Sequence, residues 1–222
     1  MVLAAGAGTR LGSGQNKVLL PVAGIPIVAR SVRTACAVAG VDRVVLVVRD
    51  GEQEDVRAAV EPSLPARGPE VSMVVGGASR HASEWAALQL LAPSIEAGEL
   101  DVVALHDAAR PFAGVRLYDA VLAAADSLGG AIPVTRLTDL VSVDGAPLAP
   151  SLVGVQTPQA FRATDLLAAH RAAAREGFEA TDTAGCLASY AGVTIVAVES
   201  GPDNLKVTVA GDVRVAETLS VG

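Results

Sequence analysis

The chain has 222 residues, with 17 Lys plus Arg against 24 Asp plus Glu, a formal net charge of −7 and a hydrophobic fraction of 51%. That length suits one large α/β domain over 1–222, with no linker separating two smaller ones, and the acidic balance argues against a general nucleic-acid surface, which needs clustered Lys and Arg. Apolar runs such as Val44–Val48 fall far short of the roughly 20 residues of a membrane span, and no basic n-region opens the chain, so a soluble, cytoplasmic protein with no membrane partner is expected.

Short β-branched runs alternate with alanine-rich amphipathic stretches. In chain order they predict a strand at Met1–Ala4 and a helix at Pro26–Val38, then Arg43–Val48 with Glu52–Ala59, Val71–Val75 with Ser83–Leu91, Val102–Leu105 with Val115–Leu128, and a strand at Ala131–Val134. This is the rhythm of βα units around a mostly parallel sheet, whose ligands bind at the carboxyl ends of the strands. The rhythm then breaks at "LVSVDGAPLAPSL", where alternation around Asp144–Gly145 signals a hairpin turn. The segment at about 137–153 reads as a projecting β-arm with little charge. It is buried either against a second subunit, making a homodimer, or back on its own domain. A strand at Val153–Gln156 follows, then helices Thr164–Arg175 and Asp182–Ala191 stopped by Gly177 and Gly192, a strand at Val193–Val198, a short strand carrying Lys206, and a closing helix. Cys36 and Cys186 lack ligand spacing and are expected as small core residues, and His81 and His170, on helical patterns, are expected to face solvent.

The first connection, "LAAGAGTRLGSGQNK", carries Gly6, Gly8, Gly12 and Gly14 with two cations, Arg10 and Lys17. Glycines let consecutive backbone N–H groups turn toward an anion, so this is a phosphate cradle or else a flexible turn. It lacks the Gly-Lys-Ser/Thr of a P-loop and the register of a dinucleotide fingerprint. Val48 leads into Arg49, where a nicotinamide dinucleotide fold would place an acid for the ribose.

The wording of that loop, followed by "LLPVAGIPIVARSV", resembles the opening of nucleotidyltransferases that join a nucleoside triphosphate to a sugar or polyol phosphate. With "VVGGASRHAS", "LHDAARPF", "VQTPQAF" and "NLKVT" in order along the chain, the sequence resembles the 2-C-methyl-D-erythritol 4-phosphate cytidylyltransferase family. The resemblance implies a three-layer, Rossmann-like nucleotidyltransferase domain with a dimerising arm, and Mg²⁺-dependent transfer of a cytidylyl group from CTP to a polyol phosphate, 2-C-methyl-D-erythritol 4-phosphate being the expected acceptor. It implies Arg10, Lys17 and Lys206 as catalytic cations, and Ala4, Ala5, Gly6, Ala7, Gly8 and Thr9 around the triphosphate. Gly76, Gly77 and Ser83 would read cytosine, and Asp107 would hold magnesium, or instead cap a helix or pair with Arg110. Arg110, Arg136, Thr157 and Asp182 would serve the acceptor, Arg80 would bind a phosphate or brace its loop, and His106 is structural because an ionised phosphate nucleophile needs no base. The chain departs from the family pattern at Asn16, Leu140 and Ala149, and at "TDTAG", where Thr183 and Gly185 stand in place of an acid and a Ser. Arg136 is the candidate to replace the arm Arg lost at Ala149. A different acceptor such as ribitol phosphate, or a non-catalytic nucleotide-binding role, stays open at this point.

Overall fold

The computed structural model describes residues 1–6, 16–138, 140, 142–145, 152–180 and 182–220. Among the described residues the strands are β1 (Val2–Leu3), β2 (Pro21–Val22), β3 (Ile25–Pro26), β4 (Arg43–Val48), β5 (Glu70–Val75), β6 (Val102–Asp107), β7 (Gly129–Arg136), β8 (Val153–Val155), β9 (Gln159–Arg162) and β10 (Thr194–Glu199). Seven α-helices accompany them: α1 (Ile27–Ala37), α2 (Gln53–Val60), α3 (Arg80–Glu96), α4 (Val115–Leu128), α5 (Ala163–Glu176), α6 (Thr183–Tyr190) and α7 (Ala210–Leu219).

The main sheet runs β10-β7-β9-β6-β1-β4-β5, with β8 paired to β7. Pairings of β1 with β4 and β6, of β4 with β5, and of β7 with β10 are parallel. Strand β4 shows why helices cover both faces. Its side chains alternate in direction, yet Val44 through Val48 are all buried, so neither face is wet. Val44, Leu46 and Val48 pack with Ile27, Val32 and Val56 from α1 and α2. Val45 and Val47 face the other way, into a cluster with Leu88 and Leu91 of α3, Leu166 of α5 and Leu187 of α6.

Two expectations needed correcting, and one strand had not been foreseen. Helix α3 begins at Arg80 because the Ser79 side chain accepts the Ala82 N–H at 3.1 Å, and it runs past Leu91 through Pro93 because Ala92 and Ile95 are buried on its inner face. Strand β9, which pairs antiparallel with both β6 and β7, had no periodic signal in its four residues. Its reversal carries Gln159 to a position opposite Leu105, which delivers the preceding Thr157 to the same edge as Asp107. Lys206 lies in a connection and not in a strand, its neighbour Val207 tied by one N–H to the Ala109 carbonyl at 2.8 Å.

The expected hairpin is present as far as its residues are described. Arg136 pairs with Val153 and Val134 with Val155, and the Gly145 N–H closes a turn onto the Ser142 carbonyl at 2.8 Å. Gly145 takes φ +86°, the left-handed region where a side chain is strained. Val143 at this tip is fully exposed.

Candidate active site at the carboxyl edge of the sheet

Parallel pairing brings the ends of four strands together: Leu3 lies opposite both Val47 and Asp107, and β4 and β5 finish side by side at Val48 and Val75. Where they end, a cleft of about 530 Å³ opens, lined by Ala4, Ala5 and Gly6 after β1, Arg49 and Asp50 after β4, Gly76 and Gly77 after β5, and Asp107 at the end of β6. Lys17, Arg80, Ser83 and Lys206 complete its wall. Carboxyl edges of open α/β sheets are where ligands are expected.

On the β5 side the backbone comes close because glycine permits it. A Cβ on Gly76 would stand 2.7 Å from Ser83 Oγ and 2.8 Å from Ala5 Cβ, and one on Gly77 only 2.5 Å from Ala82 Cβ. The Gly77 N–H donates to Ser83 Oγ at 3.2 Å. Residues 5, 76, 77 and 83 are thereby packed into one compact wall with little freedom to adjust.

Opposite charges meet at Asp107. Lys206 Nζ donates to its Oδ2 at 2.6 Å, and Arg80 reaches Oδ1 at 3.5 Å. Burial alone would push this carboxyl up, but Lys206 and Arg80 outweigh it and hold the pKa down at about 2. Lys206 follows a well-tied segment: Asn204 Nδ2 donates to Gln156 Oε1 and to the Thr157 carbonyl, both at 3.0 Å. Lys17 opens a short 3₁₀ turn (Lys17–Leu19) capped by Asn16. Asn16 is itself buried, donating from Nδ2 to the Ala4 carbonyl at 3.0 Å and to Glu52 Oε2 at 2.6 Å.

The other expected site residues are placed differently. Thr157 stands behind the cleft, its Oγ1 accepting the Asp107 N–H at 3.0 Å and touching His106 Nδ1 at 3.1 Å. His106 Nε2 meets the Arg110 carbonyl at 3.1 Å, so both ring nitrogens are engaged, and burial holds the imidazole down at about 4. The Arg110 guanidinium donates to the carbonyls of Asn204 at 2.7 Å and Val155 at 3.4 Å, bracing the segments that carry Lys206 and Thr157. Asp182 caps α6 by accepting the Gly185 N–H at 2.8 Å. Arg136 is exposed at the end of β7, 3.9 Å from Glu199. Ala7, Gly8, Thr9 and Arg10 in the first loop, together with Ala149 and Thr181, lie outside the described residues.

The expectation that His81 and His170 face solvent is overturned. Both are buried, and their rings stack at 4.7 Å and 8° between helices α3 and α5. Cys186 lies with them, all three potential ligand atoms within 4.8 Å. Stacked rings, however, keep their in-plane lone pairs in two separate, nearly parallel planes, so the two do not converge on one ion. His170 Nε2 meets Glu84 Oε2 at 3.2 Å, and Glu84 also binds Arg80 and accepts from Thr183 Oγ1 at 2.8 Å. Sequence reasoning missed Glu84, although a signal existed: His81, Glu84, Leu88 and Leu91 fall three to four residues apart, one helical face, and the leucines mark that face as internal.

Comparison with known proteins adds the deciding observation. The family model of 2-C-methyl-D-erythritol 4-phosphate cytidylyltransferase matches residues 1–220. The chain belongs to this family. Within the family, the enzyme of that name from Cereibacter sphaeroides strain KD131 is 39% identical over 99% of this chain and 95% of its own, and the one from Bacillus velezensis is 32% identical over 99% and 94%. The crystal structure of the Thermus thermophilus cytidylyltransferase overlays with a TM-score of 0.74 at 29% identity, covering 100% of this chain and 98% of that one. A 4-diphosphocytidyl-2C-methyl-D-erythritol synthase from Anaerococcus prevotii shares the fold at a TM-score of 0.83 and 23% identity, over 100% and 94% of the two chains.

Proposed function

We propose that the chain is a cytidylyltransferase of 1–222 acting as one catalytic domain, which joins CTP to 2-C-methyl-D-erythritol 4-phosphate and releases pyrophosphate. The observation that carries this reading is the meeting of Lys17, Lys206, Arg80 and Asp107 in one cleft beside the close-packed Gly76, Gly77 and Ser83 wall, in a chain matched along its length by that family. The acceptor's phosphate oxygen forms a bond to the α-phosphorus as the bond from that phosphorus to the β-phosphate bridging oxygen breaks. The electron pair leaves with pyrophosphate. Such chemistry needs positioning and charge neutralisation more than covalent help.

Lys17 and Lys206, with Arg10 from the first loop, hold the triphosphate and offset charge growing on the α-phosphate and the leaving group. The backbone of Ala4 to Thr9 cradles the outer phosphates. Ser83 and the backbone around Gly76–Gly77 face the base. His106 takes no proton, since both its nitrogens are engaged and the nucleophile is already ionised. Arg110, Thr157 and Asp182 shape the acceptor side through the segments they brace, and Arg136 reaches the acceptor's phosphate from the arm. Asp107, an ionised hard-oxygen donor in the cleft wall, fits magnesium, which accepts one or two carboxylates with substrate phosphates making up the set. Bound there, the ion supplies further neutralisation of phosphate charge. A homodimer buries the apolar arm residues, and the enzyme works in the cytoplasm.

Pyrophosphate release by the purified protein with CTP and Mg²⁺ tests the reading, comparing methylerythritol phosphate with ribitol, erythritol and glycerol phosphates. Turnover with methylerythritol phosphate is expected. Preference for another polyol phosphate, with CTP still required, would keep the cytidylyl half of the reading and replace the acceptor, and no turnover with any of them would overturn it.

A further inference from the structure

Glu84 is 1% exposed, a carboxylate taken almost wholly out of water. Replacing a buried ion pair by apolar side chains is commonly neutral or stabilising, so a buried carboxylate is weak support for a stability role. Its partners point elsewhere. Oε1 binds Arg80 and accepts from Thr183 Oγ1 at 2.8 Å, and Oε2 meets His170 Nε2 at 3.2 Å. His170 Nδ1 faces the Leu166 carbonyl at 3.1 Å, an oxygen that only accepts, so that nitrogen carries a hydrogen. His170 Nε2 thus backs Glu84 from the side away from the cleft, while Arg80 lies on the side toward it.

Arg80 is the link outward. Its Nη1 is held by Glu84 and by Thr183 Oγ1 at 2.9 Å, while its Nη2 reaches Asp107 Oδ1 at 3.5 Å. A long side chain that would otherwise sample many rotamers is thus pinned at two points on its inner edge, with its outer edge presented to the site. We propose that Glu84, backed by His170 and Thr183, is a positioning residue for the transfer reaction, aiming the Arg80 guanidinium at Asp107 and at the nucleotide in the cleft. The proposal rests on the cytidylyltransferase reading.

A double-mutant cycle separates this role from packing. In steady-state pyrophosphate release, Glu84→Gln lowers kcat/KM for CTP by about 10- to 100-fold, the range for losing a charge-assisted hydrogen bond. In an Arg80→Ala background the same change costs less than about twofold, because the group it acts through is gone. His170→Asn behaves in the same way, with a smaller loss. Equal losses with and without Arg80, or no loss when Arg80 is present, would overturn the proposal. Only variants that melt cooperatively are compared; if Glu84→Gln does not, Thr183→Val, which keeps the carboxylate and removes the hydroxyl bridging it to Arg80, decides by the same cycle with an expected loss of about tenfold. CTP affinity from calorimetry runs alongside, so that an unsuitable acceptor, which abolishes turnover of the parent protein, is told apart from a failed role for Glu84.

Discussion

His106 and Asp107 are neighbours whose pKa values are both held down in the folded protein, so both lose stability as pH falls. Burial holds His106 at about 4 instead of 6.5, so between those values the unfolded chain binds one proton more than the folded chain and stability rises with pH. Stability is therefore lost as pH falls from about 6.5 to 4, by about 3 kcal/mol if the whole shift is realised. Asp107, held at about 2 against 3.8, adds a further loss of about 2 kcal/mol as pH falls through that lower window. Chemical denaturation at a series of pH values checks this, and a His106→Asn variant should show a shallower slope between pH 6.5 and 4, the remainder coming from groups such as the buried Met1 amine. Gly76 makes a sharper test of the site wall. Gly76→Ala should cut kcat/KM by roughly 10²-fold or more, as misplacing a positioning group does, and should lower the melting temperature as well, since the added Cβ meets Ser83, Ala5 and the buried Val47. Lys206→Ala should cost about 10² to 10³ in kcat, the scale of one lost charge-stabilising contact. The cations and glycines were readable from their motifs because chemistry constrains residue type. The bracing of Arg110 and Thr157 behind the cleft was not, since it follows from where β9 and the Asn204 segment pack in space.

Among the elements, those with long regular signals were legible. Arg43–Val48 is a strand at the predicted bounds, and the Asp144–Gly145 pair marks the turn at the tip of the arm. Strand β9 escaped because four residues beside a proline carry no measurable period, and it forms through pairing with β6 and β7 on either side. Its side chains confirm how much depends on it: Phe161 is fully buried against the α3 and α5 layer. Phe161→Ala should destabilise the protein by roughly 3–5 kcal/mol, the range for deleting a buried aromatic ring, and should do so without changing KM in the fraction that remains folded. Thermal melts with parallel kinetics at low temperature would show it.

For the molecule as a whole, the strand order places β6, β1, β4 and β5 under the cleft, while β7 and β8 extend the opposite part of the sheet toward the arm. Val143 at the tip, with Leu152 and Val153 nearby, leaves apolar surface exposed in a single chain. Sedimentation velocity should give a dimer at micromolar concentration, and Val143→Asp with Leu152→Asp should shift it toward monomer; a monomer in the parent protein would remove the arm from that role. The arm's conformation was legible from sequence only at its turn, because alternation specifies a hairpin but not what covers it.

Asn16 joins the first loop's two ends, holding the Ala4 carbonyl at 3.0 Å and fixing the start of the Lys17 turn. Lys17 and Arg10, although neighbours in the motif, are therefore on different footings: one is bolted to the strand, the other stands six residues along the chain from either anchor. A change of length between Gly6 and Asn16 would leave Lys17 where the Asn16 anchor holds it. The loop's length is in that sense separable from the footing of Lys17 and of the strand beneath it.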